Sequence, residues 1–272
     1  MGHKKSTIPL KHISSPQNAL VKKVIELKTK ASARRQEKRC IIEGFKEIDI
    51  AFESQIEIQT LLVNEENYEE LEKYSFASKC QDILVCSNEV MEKIAVRDTK
   101  QKAIAIAHTD YKSIDDLTLS SNPFVLILEN IEKPGNLGAL FRTCDAARVD
   151  AILCTSMQTD LYNPNVIRNS LGCVFSQNIV YCTNEEALDY CIKNQIKIYS
   201  TYLRTEHYYY DKNFAEPTAL VMGSEGFGIT DFWLQAPVEL IKIPMLGKID
   251  SMNVSNSASI LLYEVVRQRM GV

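Results

Sequence analysis

The sequence predicts an α/β protein built from two domains. Its 272 residues exceed the usual length of one domain and suit two. Short apolar runs typical of buried strands alternate with segments whose apolar residues recur at helical spacing. A polar, turn-rich segment at residues 111–123 interrupts this alternation, so we predict domains at 1–110 and 124–272 with a linker between them. The composition, 45% hydrophobic and 24% charged, excludes a disordered, collagen-like or low-complexity chain.

The first predicted domain opens with its clearest helix. Ser15-Pro16 is a good helix start, because Ser can cap the first turn and Pro suits its first position. Leu20, Val24 and Leu27 then recur at helical spacing, and the basic stretch 28–39 is predicted to continue the helix. The elements that follow are a strand at 40–42, a helix at 45–52, a strand at 56–63, an acidic surface helix at 65–76, a strand at 83–86, a helix at 88–96 and a strand at 103–107.

The second predicted domain repeats the alternation with more strongly apolar strands. Its predicted strands are 124–128, 151–154, 179–181, 196–202 and 219–223, with a short extended segment at 241–244. Its predicted helices are 135–147, 165–170, 185–193 and 258–270. Strands alternating with helices in this way are typical of a parallel sheet.

Charge is distributed unevenly along the chain. The formal net charge is −4, but residues 1–46 hold twelve Lys or Arg and three Glu, a net charge of +9, which leaves −13 for the remainder. Such asymmetry is typical of a region that binds a polyanion, although a solvated basic helix without a partner fits the same count. The candidate phosphate-contacting residues are Lys30, Arg34, Arg35, Lys38 and Arg39.

Several classes of protein are disfavoured by what the sequence lacks. No two of the eight Cys lie closer than six residues, and none of the four His stands near another His or a Cys at ligand spacing, so no metal site is predicted. The first residues contain no apolar signal-peptide core, and no stretch reaches the length of a membrane span. Together with the unpaired cysteines, these features lead us to expect a cytoplasmic protein without a membrane partner.

Three segments rich in Gly, Asn and Ser follow predicted strands, where open α/β sheets bind ligands. The first, PGNLGALFRT at 134–143, contains Asn136 and places Arg142 about one helical turn after Gly138, where an Arg can hold a phosphate. The second, VMGSEGFG at 221–228, contains Gly223 and Glu225 in a GxxGxG order that is neither a dinucleotide nor a Walker loop. The third, IPMLGKIDSMNVSNSASILLYE at 243–264, leads into the last helix. Each segment alone is compatible with an ordinary turn, a solvated side chain or a helix cap.

Taken in order, the three segments resemble motifs one to three of the SpoU (TrmH-type) RNA ribose 2′-O-methyltransferases, members of the SPOUT superfamily. The resemblance covers about residues 124–270. The basic run followed by CIIEGFKEI at 40–48 also resembles the family's substrate-binding domain, a smaller α/β domain like that of ribosomal proteins. The resemblance implies a C-terminal parallel sheet with a trefoil knot, a feature that folds otherwise avoid.

The resemblance also implies a cofactor and a set of site residues. The cofactor is S-adenosylmethionine, and the motif positions that would contact it are Gly223, Ile243, Met252, Met245, Gly247 and, more weakly, Thr201. Arg142 matches the family's catalytic Arg, while Asn136, Glu225, Asn253 and Ser255 would build and orient the site. Met252 stands where Leu is usual, and Asn256-Ser257 stand where small apolar residues are common.

The implied reaction transfers a methyl group to a ribose 2′-oxygen. Arg is almost always protonated, so we expect Arg142 to stabilise the developing 2′-oxyanion and not to act as a free base. The resemblance further implies a homodimer, with the helix at 258–270 as the candidate interface, although plain packing within one chain is an equal alternative. Ribosomal RNA is slightly favoured over transfer RNA as substrate, because the basic first domain is large.

Two alternatives remain open at this stage. The first is a non-catalytic RNA-binding protein that keeps the same fold. The second is a small-molecule enzyme that uses a nucleotide cofactor, against which the absence of GxGxxG and Walker patterns counts.

Overall fold

The computed structural model describes residues 11–96 and 101–271. The chain forms two compact units, one of residues up to 109 together with 162–164 and one of residues 110–161 and 165–272. The residues of the predicted linker, 111–123, fall in the second unit. Within that unit they contain a single 3₁₀ turn at Ile114–Asp116, which is closed by a capping box from Ser113.

The first unit is built on a mixed five-stranded sheet. Its strands are β1 (Lys11–Ile13), β2 (Arg39–Glu43), β3 (Ile58–Asn64), β4 (Asp82–Cys86) and β5 (Ala103–His108), in the order β1-β4-β3-β5-β2. β1 and β3 run parallel to β4, whereas β5 is antiparallel to both β3 and β2. Its helices are α1 (Ala19–Thr29), α2 (Ala31–Glu37), α3 (Phe45–Glu53) and α4 (Asn88–Ile94).

Two expectations for the first unit are wrong. The helix predicted to run on through 28–39 ends at Thr29, because Lys30 is extended (φ −110°, ψ 113°) and α2 starts afresh at Ala31. The acidic segment forms 3₁₀ helices at Glu65–Lys73 and Ser75–Ser78 and not one α-helix. β1 was not predicted, since three residues at a sheet edge carry no apolar pattern.

The second unit is built on a parallel sheet of six strands. These are β6 (Phe124–Glu129), β7 (Ala151–Thr155), β8 (Ile179–Cys182), β9 (Lys197–Thr201), β10 (Thr218–Met222) and β11 (Glu239–Ile241), in the order β11-β9-β10-β6-β7-β8. Its helices are α5 (Pro134–Ala146), α6 (Pro164–Asn169), α7 (Cys173–Ser176), α8 (Asn184–Lys193), α9 (Asp231–Gln235) and α10 (Val254–Met270). The predicted α/β fold with a parallel C-terminal sheet is therefore confirmed.

Burial explains why the central strands read as continuous apolar runs. All six residues of β6 and all five of β10 are buried, as expected when both faces of a parallel sheet are covered. Alternate side chains such as Val125 and Ile127 join a core with Trp233 of α9 and Ala187 of α8. α5 packs against α10, and α10 also contacts β10. Two short helices, α7 and α9, were not predicted, because neither is long enough to show a helical period.

α10 begins four residues earlier than predicted. Residues 254–257, which precede the helix predicted at 258–270, form its first turn, because Asn253 caps it by accepting from the amide N–H of Ser255. No helix in the part of the chain that the structure describes is long and apolar enough to cross a membrane.

Candidate active site

The first predicted segment forms most of α5, which follows β6 at the carboxyl edge of the parallel sheet. Pro134 takes the first turn of α5, where its missing N–H costs no hydrogen bond. Gly138 allows the close approach of α5 to α6, because a Cβ there would lie 2.7 Å from the carbonyl oxygen of Val166. This segment therefore places Asn136 in the first turn of α5 and Arg142 further along the same helix.

The second predicted segment is a tight loop that follows β10. Ser224 and Gly228 close it with two main-chain hydrogen bonds of 3.0 and 2.9 Å. Gly223 cannot carry a side chain, because a Cβ would lie 2.1 Å from the carbonyl carbon of Gly228, and Gly228 itself has φ +70°. The loop holds Glu225 within this closed turn, next to the carboxyl end of β10.

The side chain of Glu225 is the point at which all three segments meet. Its carboxylate accepts hydrogen bonds from Lys133 (Nζ to Oε2, 2.5 Å), from Asn136, and from Asn253 (Nδ2 to Oε1, 2.9 Å). Asn253 Nδ2 also lies 3.2 Å from Asn136 Oδ1, and its own Oδ1 accepts from Ser255 Oγ at 2.6 Å. We call these five residues the Glu225 cluster. The hydrogen bond to Glu225 raises the pKa of Lys133.

Arg142 lies on the same helix as Asn136 but outside this cluster. Its side chain is exposed, and among the residues that the structure describes it has no hydrogen-bond or ion-pair partner. Of the predicted catalytic residues, the structure thus brings together Asn136, Glu225, Asn253 and Ser255, and leaves Arg142 free to meet a ligand.

A cavity of about 480 Å³ adjoins the cluster at the same edge of the sheet. Five of the six predicted cofactor-contacting residues line it, and these are Thr201, Gly223, Ile243, Met245 and Met252. Gly247, the sixth, is not among the lining residues. Glu225 borders the cavity as well, so the cavity and the cluster share a wall.

The lining fits a ligand with a polar, partly cationic structure such as S-adenosylmethionine. Main-chain groups of residues 243–252, all of them described, form no hydrogen bond with other main-chain groups, so their N–H and C=O are available to a ligand. No atom lies within 4 Å of where a Cβ on Gly226 or Gly228 would stand. Met222, Ile243 and Met252 supply apolar surface. Two acids, Glu225 and Asp250, and two bases, Arg204 and Lys242, also line the cavity, which suits a ligand that carries both charges.

Glu129, at the end of β6, is a site-supporting residue that the sequence analysis missed. Its side chain is fully buried and accepts from the amide N–H of Thr230 (2.8 Å), from Thr230 Oγ1 (2.7 Å) and from Asn184 Nδ2 (2.6 Å). These bonds tie the end of the Glu225 loop to the central strand. The available signal was an acidic residue that directly ends an otherwise apolar strand.

The predicted phosphate-contacting residues of the first unit divide into two groups. The prediction that Arg34 contacts a phosphate is wrong. Its side chain is only 3% exposed and donates to the carbonyl oxygen of Leu27 at 2.6 Å, so it closes the end of α1 and cannot reach a phosphate. Lys30 is paired with Glu26, and Arg39 lies 3.9 Å from Glu37. Arg35 and Lys38 are exposed, whereas Lys4 and Lys5, which contributed to the predicted basic region, lie outside the described residues.

No group of three or more His, Cys, Asp or Glu suited to a metal is found within residues 11–96 and 101–271. A parallel α/β sheet whose carboxyl edge holds a ligand cavity and a polar cluster from three glycine- and asparagine-rich segments is the arrangement expected of the RNA methyltransferases predicted above. Comparison with known families specifies it further. The model of the SpoU rRNA Methylase family matches residues 123–263, more than half of the chain, and the chain belongs to this family. The model of the MRM3-like substrate binding domain matches residues 18–105.

Individual relatives agree with this assignment. The chain is 27% identical over 259 residues to the 23S rRNA (guanosine(2553)-2′-O)-methyltransferase RlmP of Bacillus subtilis, covering 94% of this chain and 99% of that protein. A crystal structure of an RNA 2′-O ribose methyltransferase is 36% identical with a TM-score of 0.84, covering 95% of this chain and 99% of that one. An AdoMet-bound rRNA methyltransferase from Sinorhizobium meliloti is 25% identical with a TM-score of 0.84, covering 95% and 98%. The predicted family and enzyme class are confirmed, and this solved relative binds the predicted cofactor.

Proposed function

We propose that this chain methylates a ribose 2′-hydroxyl of ribosomal RNA, with S-adenosylmethionine as the methyl donor. The observation that carries the proposal is the convergence of three loops on Glu225 beside a cavity lined by the predicted cofactor-contacting residues. Relatives named for 23S rRNA or rRNA, aligned over nearly the whole chain, support ribosomal RNA as the substrate.

The residues of this chain would divide the work between binding and charge stabilisation. When bound, S-adenosylmethionine supplies a methyl group that is already activated on its sulfonium. Thr201, Gly223, Ile243, Met245 and Met252 would hold it in the cavity. The chain must then align a ribose hydroxyl with the methyl group, because correct orientation alone lowers the barrier by several kcal/mol, roughly 7–11 in well-oriented cases.

As the methyl group is transferred to the 2′-oxygen, the hydroxyl proton would pass to water. A ribose hydroxyl is a poor acid near neutral pH, so this loss is helped by a positive charge that stabilises the developing oxyanion. The exposed, unpartnered guanidinium of Arg142 is suited to stabilise the oxyanion that develops on the 2′-oxygen. The Glu225 cluster would hold Asn136 and Asn253 at fixed positions around the reacting ribose. Its hydrogen bonds are already made without the substrate, so little reorganisation is needed when the RNA binds.

The test is methyl transfer to defined RNA. Unmodified ribosomal RNA and transfer RNA, transcribed in vitro, are incubated with the protein and tritium-labelled S-adenosylmethionine. We expect label in ribosomal RNA at a site that resists alkaline cleavage, because 2′-O-methylation blocks that reaction. A matched RNA with a 2′-deoxy nucleotide at the mapped position should accept no methyl group. Label on a base, label only in transfer RNA, or no transfer to any of these RNAs would contradict the proposal.

The non-catalytic alternative predicts RNA binding without transfer, and the same assay separates the two. No structural observation favours it, because the Glu225 cluster is complete. The small-molecule alternative is overturned by the family assignment, which places the chain among rRNA methylases.

We further propose that the chain works as a cytoplasmic homodimer with a knotted catalytic domain. α10 presents Ile260, Tyr263 and Met270, which are 36%, 50% and 70% exposed, and this face would suit a second copy. Eight free cysteines support a reducing compartment. Light scattering should give twice the mass of one chain, and Tyr263→Glu should reduce that mass by half. A wild-type protein with the mass of a single chain would contradict the dimer.

A further inference from the structure

Three consecutive tyrosines form a partly exposed cluster on the segment between β9 and β10. The rings of Tyr208 and Tyr210 are stacked, with centroids 5.2 Å apart and planes 10° from parallel. Tyr209 meets Tyr210 edge to face at 5.3 Å. We call Tyr208, Tyr209 and Tyr210 the tyrosine cluster. Tyr210 is 52% exposed, so its ring is accessible to a ligand.

The cluster is held rigidly beside the edge strand of the sheet. Tyr209 donates its amide N–H to the carbonyl oxygen of Lys242 at 3.1 Å, and the amide of Lys242 donates to His207 at 2.9 Å. Tyr208 and Lys242 thereby form an isolated parallel bridge just beyond the end of β11. Aromatic rings fixed in this way lose little conformational entropy when they contact a ligand.

The cluster is continuous with the cofactor cavity. Lys242 Nζ lies 5.1 Å from the centroid of the Tyr208 ring, and Lys242 also lines the cavity. Tyr202 and Arg204, on the same segment as the cluster, line the cavity too. A ligand that extends out of the active site on this side therefore meets the tyrosines next.

The charges around the cluster suit a polyanion. Arg204 is exposed and has no ion-pair partner in the part of the chain that the structure describes, and Lys242 contacts only the Tyr208 ring with its ammonium. Lys212, the second Lys or Arg between β9 and β10, is bound to Glu239 at 2.8 Å. Glu206 and Asp211 are exposed acids on the same segment, so the attraction is local to Arg204 and Lys242 and is not a general positive charge.

We propose that the tyrosine cluster is a stacking site for an unpaired base of the substrate RNA, close to the nucleotide that is methylated. Exposed aromatic rings next to cations are the usual means by which proteins bind unstacked bases and their phosphates. Tyr210 would stack on the base, while Arg204 and Lys242 would contact the flanking phosphates. The proposal rests on RNA being the substrate, and it adds a place for a neighbouring base outside the three motifs.

The test compares three substitutions at Tyr210 in the full-length protein. Tyr210→Phe keeps the aromatic face, Tyr210→Leu keeps apolar bulk without it, and Tyr210→Ala removes both. Binding of a fluorescein-labelled ten-residue oligoadenylate is measured by anisotropy, and S-adenosylmethionine binding is measured by calorimetry. We expect Ala and Leu to weaken oligonucleotide binding by about tenfold, within the range known for one stacked base, and Phe to match wild type. Affinity for S-adenosylmethionine should be the same in all four proteins, which also shows that the variants fold.

Several results would overturn the proposal. The first is an equal loss of oligonucleotide affinity in Tyr210→Phe and Tyr210→Ala, and the second is wild-type affinity in Tyr210→Leu. The third is no oligonucleotide binding by the wild-type protein. The last is a halved molecular mass of Tyr210→Ala with unchanged RNA binding. The last result would assign the cluster to a contact between two copies of the chain. Failure of the proposed function gives a different result. Oligonucleotide binding would still depend on an aromatic ring at position 210, but ribosomal RNA would receive no methyl group.

Discussion

The Glu225 cluster and the basic segment α1–α2 are both rich in charge, but they use it in different ways. At Glu225 one carboxylate collects donors from three loops that are far apart in sequence. In α1–α2 the charges are paired mostly with near neighbours, such as Lys30 with Glu26. Lys28 contacts the carbonyl oxygen of Ala95, and Arg34 is buried. A count of Lys and Arg therefore overstates the positive surface of α1–α2 that is available to RNA. It also gives no indication that three loops converge on Glu225.

We therefore expect RNA to be contacted by those cations whose charge has no partner within the folded chain. Arg142 in the second unit and Arg35 in the first are exposed arginines with no partner among the described residues.

Replacing Arg142 should give the largest loss of activity. Arg142→Ala is expected to lower the rate of methyl transfer in a single turnover by about 10²–10³-fold, the usual cost of removing one group that stabilises an oxyanion. Affinity for S-adenosylmethionine should stay unchanged in calorimetry, since Arg142 does not line the cavity. Arg142→Lys keeps the positive charge but not the planar guanidinium, so its transfer rate should lie between those of the wild type and Arg142→Ala. An equal loss of cofactor affinity would refute this role.

Glu225→Gln should disrupt the cluster without removing any side chain from it. The amide keeps one acceptor oxygen and brings two donors towards Asn136 and Asn253, which already donate there. Because hydrogen bonds to charged groups contribute about 1.5–3 kcal/mol, transfer should fall roughly 10–150-fold. Glu132→Gln, an exposed acid in the same segment as Lys133, is the matched control and should retain wild-type activity. Similar losses in both variants would show that charge near the site matters and the cluster does not.

Glu129→Gln should act on stability more than on chemistry. The buried carboxylate accepts three hydrogen bonds, and an amide cannot accept all of them, so the free energy of unfolding should fall by about 1–3 kcal/mol. Urea unfolding followed by circular dichroism measures this, and Glu225→Gln provides the comparison because its site is open to solvent. A larger loss of stability in Glu225→Gln than in Glu129→Gln would contradict the structural role assigned to Glu129.

Arg34 and Arg35 are neighbours that should behave oppositely. Arg34→Ala removes the side chain that donates to carbonyl oxygens at the end of α1 and should cost about 1–3 kcal/mol of stability. Arg35→Ala should change stability by less than about 0.5 kcal/mol. It should instead reduce the slope of log affinity for RNA against log salt concentration by about one. An unchanged salt slope in Arg35→Ala would remove α2 from the RNA-binding surface.

Acidification should produce the smallest effect. Hydrogen bonds from Lys30 and Lys23 lower the pKa of Glu26, so its stabilising contribution is present above the unfolded-state pKa and is lost as the pH falls below about 4.3. Glu26→Gln should therefore flatten the acid side of a plot of unfolding free energy against pH. The change should be small, since exposed ion pairs contribute little. A steeper acid limb in Glu26→Gln would contradict the sign of this pKa shift.

The sequence predicted most of the second unit because its signals are local and strong. β6 and β10 are short, wholly apolar runs, and the loops that follow them carry the three motifs. It was less successful where the deciding contact is distant in sequence. The break at Lys30 has no Gly or Pro to mark it, and the early start of α10 depends on the cap from Asn253.

The α/β class, the order of helices and strands along the chain, the family and the residue types of the site could therefore be predicted from the sequence. Which side chains contact one another could be seen only in the folded chain. Hydrogen bonding of Glu225 to Lys133, Asn136 and Asn253 depends on three strand ends that share one edge of the sheet. Burial of Arg34 likewise depends on how α2 turns back towards α1. The physical reason is that apolar periodicity is a local property, whereas the pairing of a polar group depends on distances that only the folded chain sets.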